Sequence, residues 1–187
     1  MTANPGPGPD ASPIRGLGAM EDGRAGGLPT RALLGGPNQD AWRTLLAHTQ
    51  SLAFEAGELL LRRGAEDRAL CLVLEGELEV LVANGMGGQG RRIALIEEGS
   101  VFGEQSFLDG EPRSADIRAL GKGRLRILSF AAFERLCAAD PRLGLALLAD
   151  LGRVVSERLR ATTAFVAQVL AEAEGTRADD AAPRPPP

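Results

Sequence analysis

Apolar and polar positions change period three times along the chain. In Asp40-Ala-Trp-Arg-Thr-Leu-Leu-Ala-His-Thr, Trp42, Leu45 and Leu46 fall at helical spacing and predict a short helix. From residue 57 the period shortens. The runs 57–64, 70–82, 91–99, 116–120 and 124–130 are short, rich in Leu, Val and Ile, and parted by glycine-containing turns. In the second run Leu78, Val80 and Val82 alternate with Glu77, Glu79 and Leu81; in the last, Leu125 and Ile127 point inward and Arg124 and Arg126 outward. Asn84-Gly85 is a hairpin signal. Short strands at this spacing predict an antiparallel barrel or sandwich. After Ser129 the helical period returns, first over 131–139. Asp140 then reads as an N-cap with Pro141 in the first turn of a long helix reaching about Ala173, where Gly144 and Gly152 are the points able to bend it.

The ends follow neither period. Ten of the twelve prolines lie in residues 1–37 or 175–187. Such stretches bury too little apolar surface to offset their backbone entropy. We therefore expect disordered tails at 1–37 and 175–187 around one folded domain at 38–174. No basic stretch followed by an apolar core opens the chain, and no run approaches a membrane span. The expectation is a soluble cytoplasmic protein without membrane contact.

Composition narrows the chemistry. The net charge is −4, so the basic field that non-specific nucleic-acid binding requires is missing. His48 is the sole histidine, on the predicted first helix. A multi-histidine metal site of the kind found in cupin enzymes cannot be assembled, and a Ser-His-Asp triad would have to use His48. Cys71 and Cys137 have no metal-like spacing and read as small buried residues in a reducing compartment. No catalytic residue, metal or cofactor is expected.

One stretch fits neither strand nor helix: Val101-Phe-Gly-Glu-Gln-Ser-Phe-Leu-Asp-Gly-Glu-Pro-Arg-Ser-Ala-Asp. Residues 105–108 suit one helical turn ended by Asp109-Gly110, and Pro112 fixes the approach to Arg113. Gly103 lets backbone N–H groups come close to a ligand, and the start of a helical turn favours negative charge. Arg113 offers a two-pronged donor suited to phosphate. Glu104 next to a phosphate site makes sense where it accepts a hydrogen bond from a sugar hydroxyl. The plain alternative is an ion pair between Glu104 and Arg113. Asp116 adds a charge near the cassette; strand alternation turns it outward, towards Arg118.

The segment 102–119 closely resembles the phosphate-binding cassette of cyclic nucleotide-binding domains, with their F-G-E…P-R-[SAT]-A pattern. The likeness extends over about residues 42–166 and includes the Leu-Val-Leu-Glu-Gly-Glu-Leu-Glu-Val run from Leu72 to Val80. It implies a mainly β fold with α: a double-stranded β-helix, or jelly-roll-like barrel, flanked by a short N-terminal and a long C-terminal helix. It implies that Arg113, Ser114 and the N–H of Ala115 bind the cyclic phosphate and that Glu104 and Gly103 face the ribose. Gln105 and Ser106 complete the contact set, Gln105 standing where an aliphatic residue is usual. The resemblance aligns Thr162 and Thr163 with a hydroxyl pair that reaches the base in bacterial catabolite activators. The expected function is a stand-alone receptor, for cAMP rather than cGMP, that moves its last helix against an unknown effector protein. A ligand-free scaffold and a cyclic dinucleotide sensor are the alternatives. Leu148, Leu151, Val155, Thr162, Phe165 and Val169 suggest a homodimer seam. With about 13 residues after Glu174, no DNA-reading domain is expected.

Overall fold

The apolar runs pair into two four-stranded sheets in a computed structural model that describes residues 39–82 and 90–180. After α1 (Gln39–Ala47) come β1 (Gln50–Phe54), β2 (Leu59–Leu61), β3 (Ala69–Glu75), β4 (Leu78–Val82), β5 (Arg91–Ile96) and β6 (Val101–Phe102). A short helix α2 (Glu104–Asp109) precedes β7 (Asp116–Ala119) and β8 (Gly123–Ser129); α3 (Phe130–Ala139) and α4 (Pro141–Asp180) follow. One sheet has the order β1-β8-β3-β6 and the other β2-β7-β4-β5, with every pairing antiparallel. The sheets form an open roll: among the described strands no pairing closes them into the expected barrel. The Asn84-Gly85 turn, residues 1–38 and residues 181–187 lie outside the described residues.

Two cores flank the first sheet. Between the sheets sit Phe54, Cys71, Val73, Phe102 and Leu125 against Leu78, Val80, Ala94, Ile96, Ile117 and Ala119. On the outer face, Leu70, Leu72, Val101 and Leu128 meet Phe107 and the helices through Leu45, Phe133, Leu136, Leu147, Leu151 and Val154. Strand β3 serves both cores, which is why its sequence is apolar on successive positions rather than alternating. Ile127 packs on the inner core beside Leu125, as the alternation required.

The run 70–82 is two strands, not one. Gly76 breaks it at φ 98°, a left-handed conformation suited to glycine, and passes the chain from one sheet to the other. A Cβ there would stand 3.0 Å from both Lys122 O and the Phe54 ring. In β4 the predicted outward side is buried: Glu79 and Leu81 are covered. Glu79 is accommodated because Arg118 lies opposite it in register and binds it at 2.7 Å. Strands β1 and β6 have no counterpart in the sequence pattern; β1 is exposed at four of five positions and β6 has two residues.

Helix α3 is capped by Ser129, whose Oγ accepts from Ala132 N at 3.2 Å, and α4 by Asp140, whose Oδ1 accepts from Leu143 N at 3.0 Å. Helix α4 runs unbroken past Gly144 and Gly152. Its buried stripe is Leu143, Leu147, Leu151, Val154 and Arg158, and Arg158 is its last buried residue among those described. Leu151 therefore belongs to the chain's own core, not to a dimer seam. A second stripe, Leu145, Leu148, Gly152, Val155, Leu159, Thr162 and Val166, steps by three and four and is open or half-open. The side chain of Val169 lies outside those described. His48 directly follows α1, its Nδ1 2.9 Å from Thr44 O.

Gly144 is required by packing: a Cβ there would collide with Cys137 Sγ on α3. Overpacking costs about 1–3 kcal/mol, against about 0.5–1 kcal/mol gained by replacing a helical glycine. Gly144→Ala should therefore lower stability in urea unfolding by about 1 kcal/mol, and adding Cys137→Ala should restore most of it. A loss undiminished in the double variant would contradict the contact.

Candidate functional site

The connection between β2 and β3 holds the residues that fix Arg113. Its backbone is clamped first: Arg113 O accepts from Gly64 N at 2.8 Å and Arg113 N donates to Ala65 O at 2.9 Å. The side chain turns inward and is 3% exposed. Nε donates to Asp67 Oδ2 at 2.9 Å, Nη2 to Asp67 Oδ1 and to Ala69 O at 2.8 Å, and Nη1 to Gly103 O at 3.0 Å. Among the described residues these contacts occupy four of the five N–H groups of the guanidinium and leave one on Nη1. The fork is thereby fixed in plane and direction.

Gly103 is where this arrangement tolerates no other residue. Its φ is 77°, and a Cβ would run into Arg113 Nη1 and stand 2.8 Å from Ala69 O. It also starts α2, whose first residue is Glu104. Gly110 closes α2 with φ 78° and its N–H on Ser106 O at 3.0 Å. The single predicted helical turn thus exists, slightly longer than expected, with Ser106 and Phe107 buried in it.

Glu104 is 5% exposed and does not pair with Arg113. Its Oε2 lies 2.5 Å from Nη1 of Arg158 on α4. Arg158, 8% exposed, also donates from Nη2 to Val101 O at 2.6 Å, and its buried Nε has no hydrogen-bond partner among the described residues. The two ionic residues read as one pair are thus two separate pairs, Arg113–Asp67 and Glu104–Arg158, brought together through Gly103.

The remaining predicted residues divide. Ser114 is exposed and its hydroxyl donates to Gln105 Oε1 at 2.7 Å. Ala115 is half-buried against the inner core. Asp116 is half-buried and accepts from Arg63 N at 2.7 Å, not from Arg118, which is held by Glu79 instead. Thr162 lies one turn beyond Arg158 on the same side of α4. Its hydroxyl and that of Thr163 donate to the carbonyls of Arg158 and Leu159, each at 2.9 Å, and both residues are exposed.

Asp67 and Arg158 were not found from the sequence. Asp67 sits in a polar connection, and Arg158 interrupts what reads as an apolar helix face. That interruption was the one available signal, since a charge on a core stripe demands a buried partner. Beneath the cassette, burial pushes the Cys71 thiol up to about 12; Arg113 pulls the other way and Asp67 adds to the rise. It stays a neutral thiol.

The sequence profile of the cyclic nucleotide-binding domain matches residues 51–140. The chain is similar to the cyclic AMP receptor protein of Thermus thermophilus, 32% identical over 112 residues, covering 60% of this chain and 51% of that protein. It is similar to the cAMP-dependent protein kinase regulatory subunit of Blastocladiella emersonii, 31% identical over 87 residues, 46% of this chain and 21% of the other. The match thus spans a fifth to a half of these relatives. Among solved structures, a cyclic nucleotide-binding domain from Methylobacillus flagellatus aligns with a TM-score of 0.67 at 29% identity over 73% of this chain and 76% of that one.

Removing one member of a buried ion pair strands the other, at about 3–5 kcal/mol. Arg158→Met should destabilise by roughly that amount in denaturant unfolding, and Glu104→Gln in the same chain should recover a large part. A change below about 1 kcal/mol in the single variant would mean that the pair is not desolvated.

Proposed function

The chain belongs to the cyclic nucleotide-binding domain family, and on that footing we propose that it is a receptor taking up a cyclic nucleotide, cAMP in preference to cGMP, at residues 103–115. The single observation that carries this reading is the buried, pre-oriented guanidinium of Arg113 with one N–H left over. In this reading that N–H, the Ser114 hydroxyl and the Ala115 N–H receive the cyclic phosphate. Glu104, with Gly103 beside it, accepts from the ribose hydroxyl; Ser106 shapes the turn between them. The module regulates and does not catalyse. The preference for cAMP draws on Thr162 and Thr163 as readers of the base and on two relatives whose names carry cAMP.

The same carboxylate that meets the ribose is held by Arg158, so occupancy bears directly on α4. The helix responds by no more than the ligand's difference in affinity between the two positions. A partner protein reads that movement. The exposed three-four stripe of α4 from Leu145 to Val166 meets a second copy of this chain, since a 3.5-residue apolar repeat is what a two-stranded coiled coil requires.

A second reading, a scaffold that keeps the fold without the ligand, draws on the same contacts, because Arg113 and Glu104 already have partners within the chain. Calorimetry separates the two. Wild type should bind cAMP more tightly than cGMP. Arg113→Lys, which keeps the charge and loses the fork, should bind cAMP roughly ten- to a hundredfold more weakly, the equivalent of about 1.5–3 kcal/mol. Heats for none of cAMP, cGMP and a cyclic dinucleotide would favour the scaffold; heat for the dinucleotide alone would reassign the ligand. In sedimentation, Leu159→Glu with Val166→Glu should convert a dimer to a monomer; an unchanged mass would remove the coiled-coil assignment.

A further inference from the structure

Among the cassette residues, only Gln105 and Ser114 bind each other side chain to side chain at the exposed rim: Ser114 Oγ donates to Gln105 Oε1 at 2.7 Å. Gln105 is the second residue of α2, and Ser114 directly follows the buried Arg113. A serine hydroxyl carries one proton. The amide oxygen of glutamine and the oxygens of an ionised phosphate diester are all acceptors without a proton to give. Ser114 therefore serves one of them at a time. Arg113 has no such conflict, because one of its N–H groups is open while the other four stay on Asp67, Ala69 and Gly103.

We propose that Gln105 is an affinity-setting residue that acts through Ser114: it holds the hydroxyl proton in the ligand-free cassette and must release it before the hydroxyl can serve the phosphate. This inference rests on the receptor reading of residues 103–115. Gln105 needs no contact with the ligand to do this. It lowers affinity by the worth of one exposed neutral hydrogen bond, and it spares a ligand held through Arg113 and Glu104 alone. The device makes the site less sensitive than its buried charges would make it, and it confines that penalty to ligands that call on Ser114.

Because Gln105 is exposed, Gln105→Leu removes the acceptor without opening a cavity, and leucine is at least as good a helix former. With cAMP as the probe, titration calorimetry should show Gln105→Leu binding about two- to tenfold more tightly than wild type. In a Ser114→Ala background the same substitution should change the dissociation constant by less than about twofold, since no proton remains to be released. A merely structural role for Gln105 would produce the same change in both backgrounds, and that outcome overturns the proposal. So does weaker or unchanged binding in Gln105→Leu, which would mean that the amide turns over and donates to the hydroxyl instead. If wild type and Gln105→Leu alike take up no cyclic nucleotide while the melting curve shows both folded, the receptor reading itself fails, a result distinct from the two before it.

Discussion

A cation removed from water must find its hydrogen bonds within the protein. Arg113 is that cation. Its position is set by three separate chain segments: the β2–β3 connection supplies Asp67, the first residue of β3 supplies Ala69 O, and the entry to α2 supplies Gly103 O. Each of these choices constrains the next. Asp67 offsets the buried charge, Ala69 O and Gly103 O hold the fork flat, and residue 103 must lack a side chain because the guanidinium occupies the space one would fill. The reward for such burial is orientation. A surface arginine would have to give up rotamer freedom on meeting a phosphate, whereas this one has already done so during folding.

The cassette is tied to the helices by two contiguous sets of contacts. One is polar: Glu104 to Arg158, and Arg158 on to Val101 O. The other is aromatic: Phe107 of α2 stands edge-on to Phe130 and Phe133 of α3 at 5.4 and 5.2 Å between ring centres. Arg68 joins them, lying 3.4 Å over the Phe130 ring while Nε and Nη2 donate to the carbonyls of Phe107 and Leu108 at the end of α2. A shift of α2 by a fraction of an ångström therefore meets both helices at once, and close-packed rings yield by jumping between arrangements rather than by stretching.

Periodicity made much of this fold legible before any coordinates. The helices α1, α3 and α4, the cap at Asp140 and the strands β3, β5, β7 and β8 follow from spacing that only one secondary structure satisfies. The failures have physical causes. Strand β4 was legible as a strand but its second face was not: Glu79 is buried, and a buried carboxylate is credible only once Arg118 is known to face it. Strand β1 was unreadable because its residues are mostly exposed and carry no alternation. The cassette was visible as a departure from both periods, and its Gly, Glu and Arg made chemical sense at that spacing. Their partners were not visible. Asp67 lies 46 positions from Arg113 and belongs to a different turn of chain. Nothing local distinguishes such a carboxylate from a solvated one.

The two stripes of α4 explain why a dimer seam was drawn through a core residue. On a helix, residues 147, 151, 154 and 158 form one row and 145, 148, 152, 155, 159 and 162 another, about a third of a turn apart. An apolar sequence alone cannot say which row faces the chain's own sheets. The inner row settles it by ending in charge: Arg158 is buried only because Glu104 and Val101 O are there to receive it. Beyond that residue the described side chains of α4 are open or half-open, so the helix leaves the domain at the point where it grips the cassette. At that turn the helix is held by the Glu104 carboxylate and by Val101 O. The cassette and α4 are therefore joined at a single turn of the helix, through one buried ion pair.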